Sequence, residues 1–116
     1  MRIIITGGSG FIGTNLVEHF LKRGIEVLNL DVGEPRNRSH AVYWKKMDLL
    51  DAKALRESIH TFNPDIIIHM GARTDLDGLT LADYAANTRG VENLIAAMED
   101  LRSLRRVVFA SSRLVC

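Results

Sequence analysis

Apolar residues follow two alternating spacings along the chain, and the alternation predicts strands followed by helices. Arg2–Thr6 is a continuous apolar run, of the kind that is buried on both faces of a parallel sheet. A helical pattern follows and ends at Gly24. Its apolar positions are Phe11, Ile12, Leu16, Val17, Phe20 and Leu21. A second strand is predicted over residues 26–30, and it ends at Asp31.

The middle of the chain continues the alternation with a shorter strand and a helix. A polar, turn-rich loop covers residues 32 to about 40, and a third strand is predicted over residues 42–47. Asp51 then stands where a side-chain oxygen can cap the start of a helix. The apolar side of this helix carries Leu55, Ile59 and Phe62. Pro64 disfavours a helical conformation in the residue before it, and the helix therefore ends there.

The last part of the chain predicts a strand, a long helix and another strand. The fourth strand is the apolar run at residues 66–68, the helical pattern covers residues 79–101, and the fifth strand covers residues 106–110. Strands that alternate with helices are typical of a parallel sheet with right-handed crossovers. We therefore predict an α/β fold, a Rossmann-type doubly wound parallel sheet with strand order 3-2-1-4-5. Its ligand crevice should lie at the carboxyl ends of the first and fourth strands.

The turn after the first strand carries the most specific chemical signal in the sequence. Glycines at positions 7, 8, 10 and 13 match both G-x-G-x-x-G and G-x-x-G-x-x-G between an apolar strand and a helix. In this setting the glycines make the tight turn, admit a phosphate to the backbone, and let the helix lie close to the strand. Asp31, at the end of the second strand, has the position of an acid that binds an adenosine ribose. The pattern therefore predicts a dinucleotide site.

Composition and charge narrow the class of protein. The 116 residues are 47% hydrophobic and 25% charged, which suits one globular domain over residues 1–116. The net charge of +1 gives no reason to expect a nucleic acid or an anionic membrane as partner. No apolar stretch approaches the roughly 20 residues that cross a bilayer, and no signal peptide is evident. With Cys116 as its single cysteine, the sequence favours a cytoplasmic protein, and we predict no metal site.

These motifs together resemble the N-terminal part of the extended short-chain dehydrogenase/reductase family, the NAD-dependent sugar-nucleotide epimerases and dehydratases. The likeness is spread over the whole chain. It is carried by residues 6–13, Asp31, Asp48, Leu49, residues 64–72, Asn87, Gly90, Asn93 and residues 109–115. The motifs are specific for the family but not for a substrate.

The resemblance implies NAD as the cofactor and suggests which residues hold it. The pyrophosphate would lie on Gly7, Gly10, Phe11, Ile12 and Gly13. Asp31 would accept hydrogen bonds from the adenosine ribose, and Asp48 and Leu49 would border the adenine. The other implied cofactor contacts are Met70, Gly71, Ala72 and Asn87.

The resemblance also implies a reaction, in which a nucleotide-sugar substrate transfers a hydride transiently to NAD. Ser112 matches the family's catalytic Ser/Thr, which hydrogen-bonds the reacting sugar oxygen. The family's acid/base pair, Tyr-x-x-x-Lys, does not occur here, since neither Tyr43 nor Tyr84 has a lysine four positions later. We therefore expect a sheet truncated after the fifth strand and a chain that is inactive alone. We also expect self-association through the uncovered face of the fourth and fifth strands.

Each assignment has a plainer alternative. The glycine turn could lack a ligand, and Asp31 and Asp48 could serve only as turn or capping residues. Asn87 could lie on the helix surface, Ser112 could simply end a strand, and we expect His69 to be a structural histidine. Two alternative functions also stay open. One is a stand-alone dinucleotide-binding module without catalysis, and the other is a different extended short-chain reductase, of the hydroxysteroid or aldehyde type.

Overall fold

Parallel strands form one sheet in the part of the chain that the computed structural model describes. It describes the backbone of residues 1–70 and 81–109, with side chains in the second range from residue 88 onward. The strands are β1 (Arg2–Thr6), β2 (Glu26–Asp31), β3 (Trp44–Lys46), β4 (Ile66–His69) and β5 (Arg106–Phe109). The helices are α1 (Phe11–Lys22), α2 (Ala52–Phe62) and α3 (Leu81–Met98), with a 3₁₀ helix at Arg38–Tyr43. The sheet order β3-β2-β1-β4-β5 confirms the predicted fold class and strand order.

Strand β1 lies at the centre of the sheet and is buried on both faces. It pairs in parallel with β2 on one side and with β4 on the other. Ile3, Ile4 and Ile5 are each at most 1% exposed. Because successive side chains of a strand point to opposite faces, these isoleucines contribute to two separate cores.

Helices cover both faces, but not equally. On one face Ile4 and Ile67 pack with side chains of α2 and α3, including Leu94. On the other face Ile3 and Ile5 pack against α1. Among the described residues no helix covers β5 on this second face, where Val108 is 41% exposed. The second face is therefore incomplete at β5 within the described part of the chain.

The loop before β3 differs from the prediction. A 3₁₀ helix occupies Arg38–Tyr43, so the third strand begins at Trp44 and not at residue 42. The Asn37 side chain accepts the Ser39 N–H at 3.0 Å and starts the turn. His40 is buried, with its Nε2 2.8 Å from Glu18 Oε2 on α1. These polar contacts favour a local turn over a longer strand.

The helix ends follow the sequence signals closely, with one correction. Asp51 Oδ1 accepts the Ala54 N–H at 3.2 Å and caps α2, as predicted. Asn63 ends α2 in the left-handed region, with φ 56°, directly before the proline. Helix α3 ends at Met98 and not at residue 101, because Asp100 adopts a positive φ of 69°. None of the described helices is long and apolar enough to cross a membrane.

Candidate functional site

A cleft of about 200 Å³ opens at the carboxyl ends of the strands. It lies where the strand order reverses between β1 and β4, which is the place predicted for the ligand crevice. The residues that line it are Thr6, Gly7, Leu30, Asp31, Val32, Met47, Asp48, Leu49, Leu50, His69 and Gly90. The cleft therefore draws on strands β1, β2 and β4, on the segment after β3, and on helix α3.

Gly7 and Gly13 are both positions that require glycine, Gly7 because of its backbone conformation and Gly13 because of close packing. Gly7 has a φ of 75°, in the left-handed region that favours glycine. A Cβ on Gly13 would collide with the carbonyl oxygen of Gly7 and would lie 2.7 Å from Gly8 Cα. The first turn of α1 consequently lies directly against the backbone of the turn.

In the part of the chain that the structure describes, N–H groups in the first turn of α1 have no acceptors. Helix α1 follows Gly10, which has no side chain to cap it. The Thr14 N–H donates to the Gly10 carbonyl at 2.8 Å. Among the described residues, none accepts a hydrogen bond from the N–H groups of Phe11, Ile12 and Gly13. Such N–H groups, at the positive end of the helix dipole, form an anion site.

Asp31 points into the same cleft, and its carboxylate is already oriented by backbone donors. Its Oδ2 accepts the Ser9 N–H at 3.0 Å, and its Oδ1 accepts the Gly33 N–H at 3.1 Å. The Asp31 carbonyl accepts the indole Nε1–H of Trp44 at 2.9 Å. Each carboxylate oxygen has a further lone pair, so the side chain can still accept hydrogen bonds from a ligand hydroxyl.

The segment after β3 forms one wall of the cleft and is held by α3. Asp48 Oδ1 accepts the Leu50 N–H at 2.9 Å, which makes a tight turn. Asn93 Nδ2 donates to the Leu49 carbonyl at 2.8 Å. A Cβ on Gly90 would lie only 3.2 Å from Leu49 Cβ, so the helix backbone approaches Leu49 closely. Asp48 thus makes a turn and also lines the cleft.

Comparison with known proteins identifies the family. Residues 3–116 match the model of the NAD dependent epimerase/dehydratase family. The chain belongs to this family.

Three members of the family show how much of each protein this chain matches. The protein named Probable dTDP-glucose 4,6-dehydratase, from Sinorhizobium fredii, is 37% identical over 98 residues, which cover 76% of this chain and 28% of that protein. The GDP-6-deoxy-D-talose 4-dehydrogenase of Aggregatibacter actinomycetemcomitans is 35% identical over 87% of this chain and 31% of its own length. The UDP-glucose 4-epimerase of Thermus thermophilus, solved in complex with NAD, gives a TM-score of 0.82 at 31% identity. That match covers 96% of this chain and 37% of the solved one. The chain therefore spans about a third of the length of these relatives.

The structure brings most of the predicted epimerase-family site residues to one end of the sheet. Gly7, Asp31, Asp48 and Leu49 line the cleft. The predicted residues at the start of α1 are Gly10, Phe11, Ile12 and Gly13. Met70 follows β4, and its side chain packs with the core beneath α1 and does not line the cleft. Gly71, Ala72 and Ser112 lie outside the described residues, as does the side chain of Asn87.

Several polar or small residues of the site were not predicted as site residues. Asn29 is buried beneath the glycine turn, and Gly90 and Asn93 hold Leu49. A glycine inside a helix lowers the stability of the helix by about 1 kcal/mol relative to alanine. The occurrence of Gly90 in a predicted helix therefore indicates that another segment packs closely against the helix at this position. Within the described residues there is no group of three or more His, Cys, Asp or Glu side chains arranged to hold a metal ion.

His69 lies at the floor of the cleft in this family member. It is 2% exposed, and its Nδ1 lies 2.6 Å from Thr6 Oγ1. Its ring meets the Phe109 ring edge-on, with the centroids 5.8 Å apart. Burial lowers the pKa of His69 below the ordinary value of 6.5. The imidazole therefore stays neutral in the folded chain at neutral pH.

We expect this burial to make the folded chain less stable as the pH falls. Once the pH is below 6.5 the unfolded chain takes up a proton on His69, whereas the folded chain does not until its lower pKa is reached. The free energy of unfolding should therefore decrease between about pH 7.5 and about pH 5.5, and His69→Gln should weaken that dependence. Urea unfolding at both pH values measures it. Equal pH dependence in the two proteins would contradict this assignment, whatever their absolute stabilities.

Proposed function

We propose that residues 1–116 form the NAD-binding domain of a sugar-nucleotide epimerase or dehydratase that acts by transient hydride transfer to NAD. The observation that carries the proposal is the first turn of α1, whose N–H groups have no acceptor among the described residues. It offers the N–H groups of Phe11, Ile12 and Gly13 beside a turn that leaves no room for a Cβ on Gly13. Such a cradle suits the two phosphates of a dinucleotide.

The described residues around the cleft fit the rest of the adenosine half of NAD. The Asp31 carboxylate is held by the N–H groups of Ser9 and Gly33, so it is oriented to accept hydrogen bonds from the ribose hydroxyls. Asp48 and Leu49 line the cleft, and we assign them to the border of the adenine. Gly7 and Gly10 complete the backbone of the pyrophosphate cradle. We assign these contacts on chemistry and family membership.

The assignment of residues to the half of the site where the reaction occurs depends on family membership. We assign Gly71, Ala72 and Asn87 to the remaining cofactor contacts, and Ser112 to the catalytic hydroxyl that hydrogen-bonds the reacting sugar oxygen. When bound, NAD supplies a hydride acceptor for a sugar carbon. The task of the described residues is to bind and orient, through the N–H groups of α1 and the Asp31 carboxylate.

A different reaction on the same cofactor site is the second candidate. The relative from Aggregatibacter actinomycetemcomitans is named a dehydrogenase, at 35% identity. An extended short-chain reductase that oxidises or reduces its substrate outright would use the same nucleotide cleft. Assay of substrate oxidation with net formation of NADH distinguishes this candidate from an epimerase, which regenerates NAD in each turnover.

We expect the chain to bind NAD more tightly than NADP. A 2′-phosphate beside Asp31 would meet like-charge repulsion and would lose the ribose hydrogen bonds. Asp31→Ala should reduce the preference by about tenfold, which corresponds to roughly 1.4 kcal/mol. Fluorescence of Trp44, the single tryptophan, reports binding, because its indole donates to the Asp31 carbonyl.

A matched carboxylate at the other end of the sheet controls for this substitution. Asp65 directly precedes β4, and its side chain accepts the Arg2 N–H at 2.8 Å. Asp65→Ala should leave the preference for NAD unchanged. Equal or tighter binding of NADP by the unsubstituted chain would contradict the ribose assignment. Failure to bind either cofactor would contradict the proposed function itself.

We expect no turnover of nucleotide sugars by the 116-residue chain alone. A positioned acid/base group contributes about 10²–10⁴-fold to the rate, and the sequence contains no tyrosine followed four positions later by lysine. The measurement is a panel of nucleotide sugars with NAD, monitored for epimerised or dehydrated product. Turnover above the protein-free control that survives Ser112→Ala would show that the chemistry lies on other residues.

We also propose that the chain associates with a second copy of itself through β5. This strand is at the edge of the described sheet, and Val108 is 41% exposed on a face where Ile66 and Ile68 are half-buried. Edge strands with exposed apolar side chains pair readily with other chains.

Val108→Lys should shift the molar mass measured by light scattering toward that of the monomer. Val42→Lys is the control, because Val42 is 82% exposed but lies in the 3₁₀ helix. A stable monomer at roughly tens of micromolar would contradict the proposal.

A further inference from the structure

Asn29 is a buried amide with apolar side chains on three sides. It pairs in register with Ile5 on β1 and Trp44 on β3, shares its face of β2 with Val27, and is 1% exposed. Burying an amide is unfavourable unless its polar atoms form hydrogen bonds. The presence of Asn29 in this core is therefore explained by what its oxygen and nitrogen bind.

Both polar atoms of Asn29 bind the glycine turn. The Gly8 N–H donates to Asn29 Oδ1 at 2.8 Å, and Asn29 Nδ2 donates to Ser9 Oγ at 3.1 Å. Because a backbone N–H can only donate, the amide oxygen must face Gly8, and this contact sets the orientation of the amide. Asp31, two residues further along β2, accepts the next N–H of the turn, that of Ser9. Alternate side chains of one strand thus hold consecutive N–H groups.

The position of Gly8 is coupled to that of the first turn of α1. A Cβ on Gly8 would lie 2.5 Å from Asn29 Oδ1, so the Asn29 amide is in direct contact with the backbone of the turn. On its other side Gly8 lies against the backbone of Gly13. A Cβ added to Gly13 would lie only 2.7 Å from Gly8 Cα. A shift of Gly8 would therefore displace Gly13, one of the three residues whose N–H groups lack an acceptor among the described residues.

We propose that Asn29 is a positioning residue for the cofactor pyrophosphate. It holds Gly8 and Ser9 so that the N–H groups of Phe11, Ile12 and Gly13 face the phosphates. The N–H groups of Gly8 and Ser9 are engaged by Asn29 and Asp31, so they support the turn and do not bind the ligand. The inference rests on the proposed function, because it requires that a pyrophosphate binds at the start of α1.

The test compares ligands that contain a pyrophosphate with one that contains no phosphate. Asn29→Leu preserves the size of the side chain and removes both hydrogen bonds to the turn. We expect NAD and ADP to bind about tenfold more weakly to this variant, whereas the affinity for adenosine changes by less than about twofold. Isothermal titration with NAD, ADP and adenosine measures the three affinities. Ile59→Ala, which removes buried volume beneath α2, is the control and should leave all three unchanged.

A measurement on the unsubstituted chain covers the case in which Asn29→Leu does not fold. The amide hydrogens of Gly8 and Ser9 should be protected from exchange without ligand, and those of Phe11, Ile12 and Gly13 should gain protection only when ADP is added. Free exchange at Gly8 in the absence of ligand would overturn the proposal.

The outcomes separate this proposal from the proposed function. Unchanged ADP binding in folded Asn29→Leu, or equal weakening of ADP and adenosine, would overturn the role of Asn29 and leave the proposed function standing. Failure of the unsubstituted chain to bind NAD would overturn both.

Discussion

The burial of β1 on both faces is the constraint on which the rest of the structure depends. Ile3, Ile4 and Ile5 can all be buried only if helices cover the sheet above and below this strand. Covering both faces of a parallel sheet requires the chain to cross over after each strand. Every described strand therefore ends at the same edge, and the turns that follow β1, β2 and β3 meet there beside the end of β4. The cleft is a direct consequence of this winding.

The site is also where the sequence departs from the apolar pattern of a buried strand. Asn29 and Asp31 replace aliphatic residues on the face of β2 that lies beneath the glycine turn. Their hydrogen bonds to the turn offset the loss of hydration that burial imposes on polar groups. Local departures of this kind are expected at functional sites, because binding requires polar groups that a core would otherwise exclude.

Elements that depend on neighbours in sequence were predictable, and so was the strand order. Several individual side-chain contacts between distant residues were not. The continuous apolar run of β1, the cap at Asp51 and the glycine turn each depend on a few consecutive residues, and each was predicted correctly. The 3₁₀ helix was missed because it is stabilised by His40 and Glu18, which are 22 positions apart. The hydrogen bond from Asn93 to the Leu49 carbonyl was missed for the same reason, since the two residues are 44 positions apart. Periodicity carries no information about such pairs.

The described cleft accounts for binding of a nucleotide better than for the choice of reaction. The donors and acceptors that we assign to the nucleotide, such as the α1 N–H groups and Asp31, suit the phosphates and ribose that any dinucleotide carries. The three relatives that share this part of the chain are named as a dehydratase, a dehydrogenase and an epimerase. A cleft common to three reactions cannot by itself determine which of them occurs. Among these relatives the reaction must therefore depend on groups that orient the substrate and move its proton, and such groups act at the nicotinamide end of the cofactor.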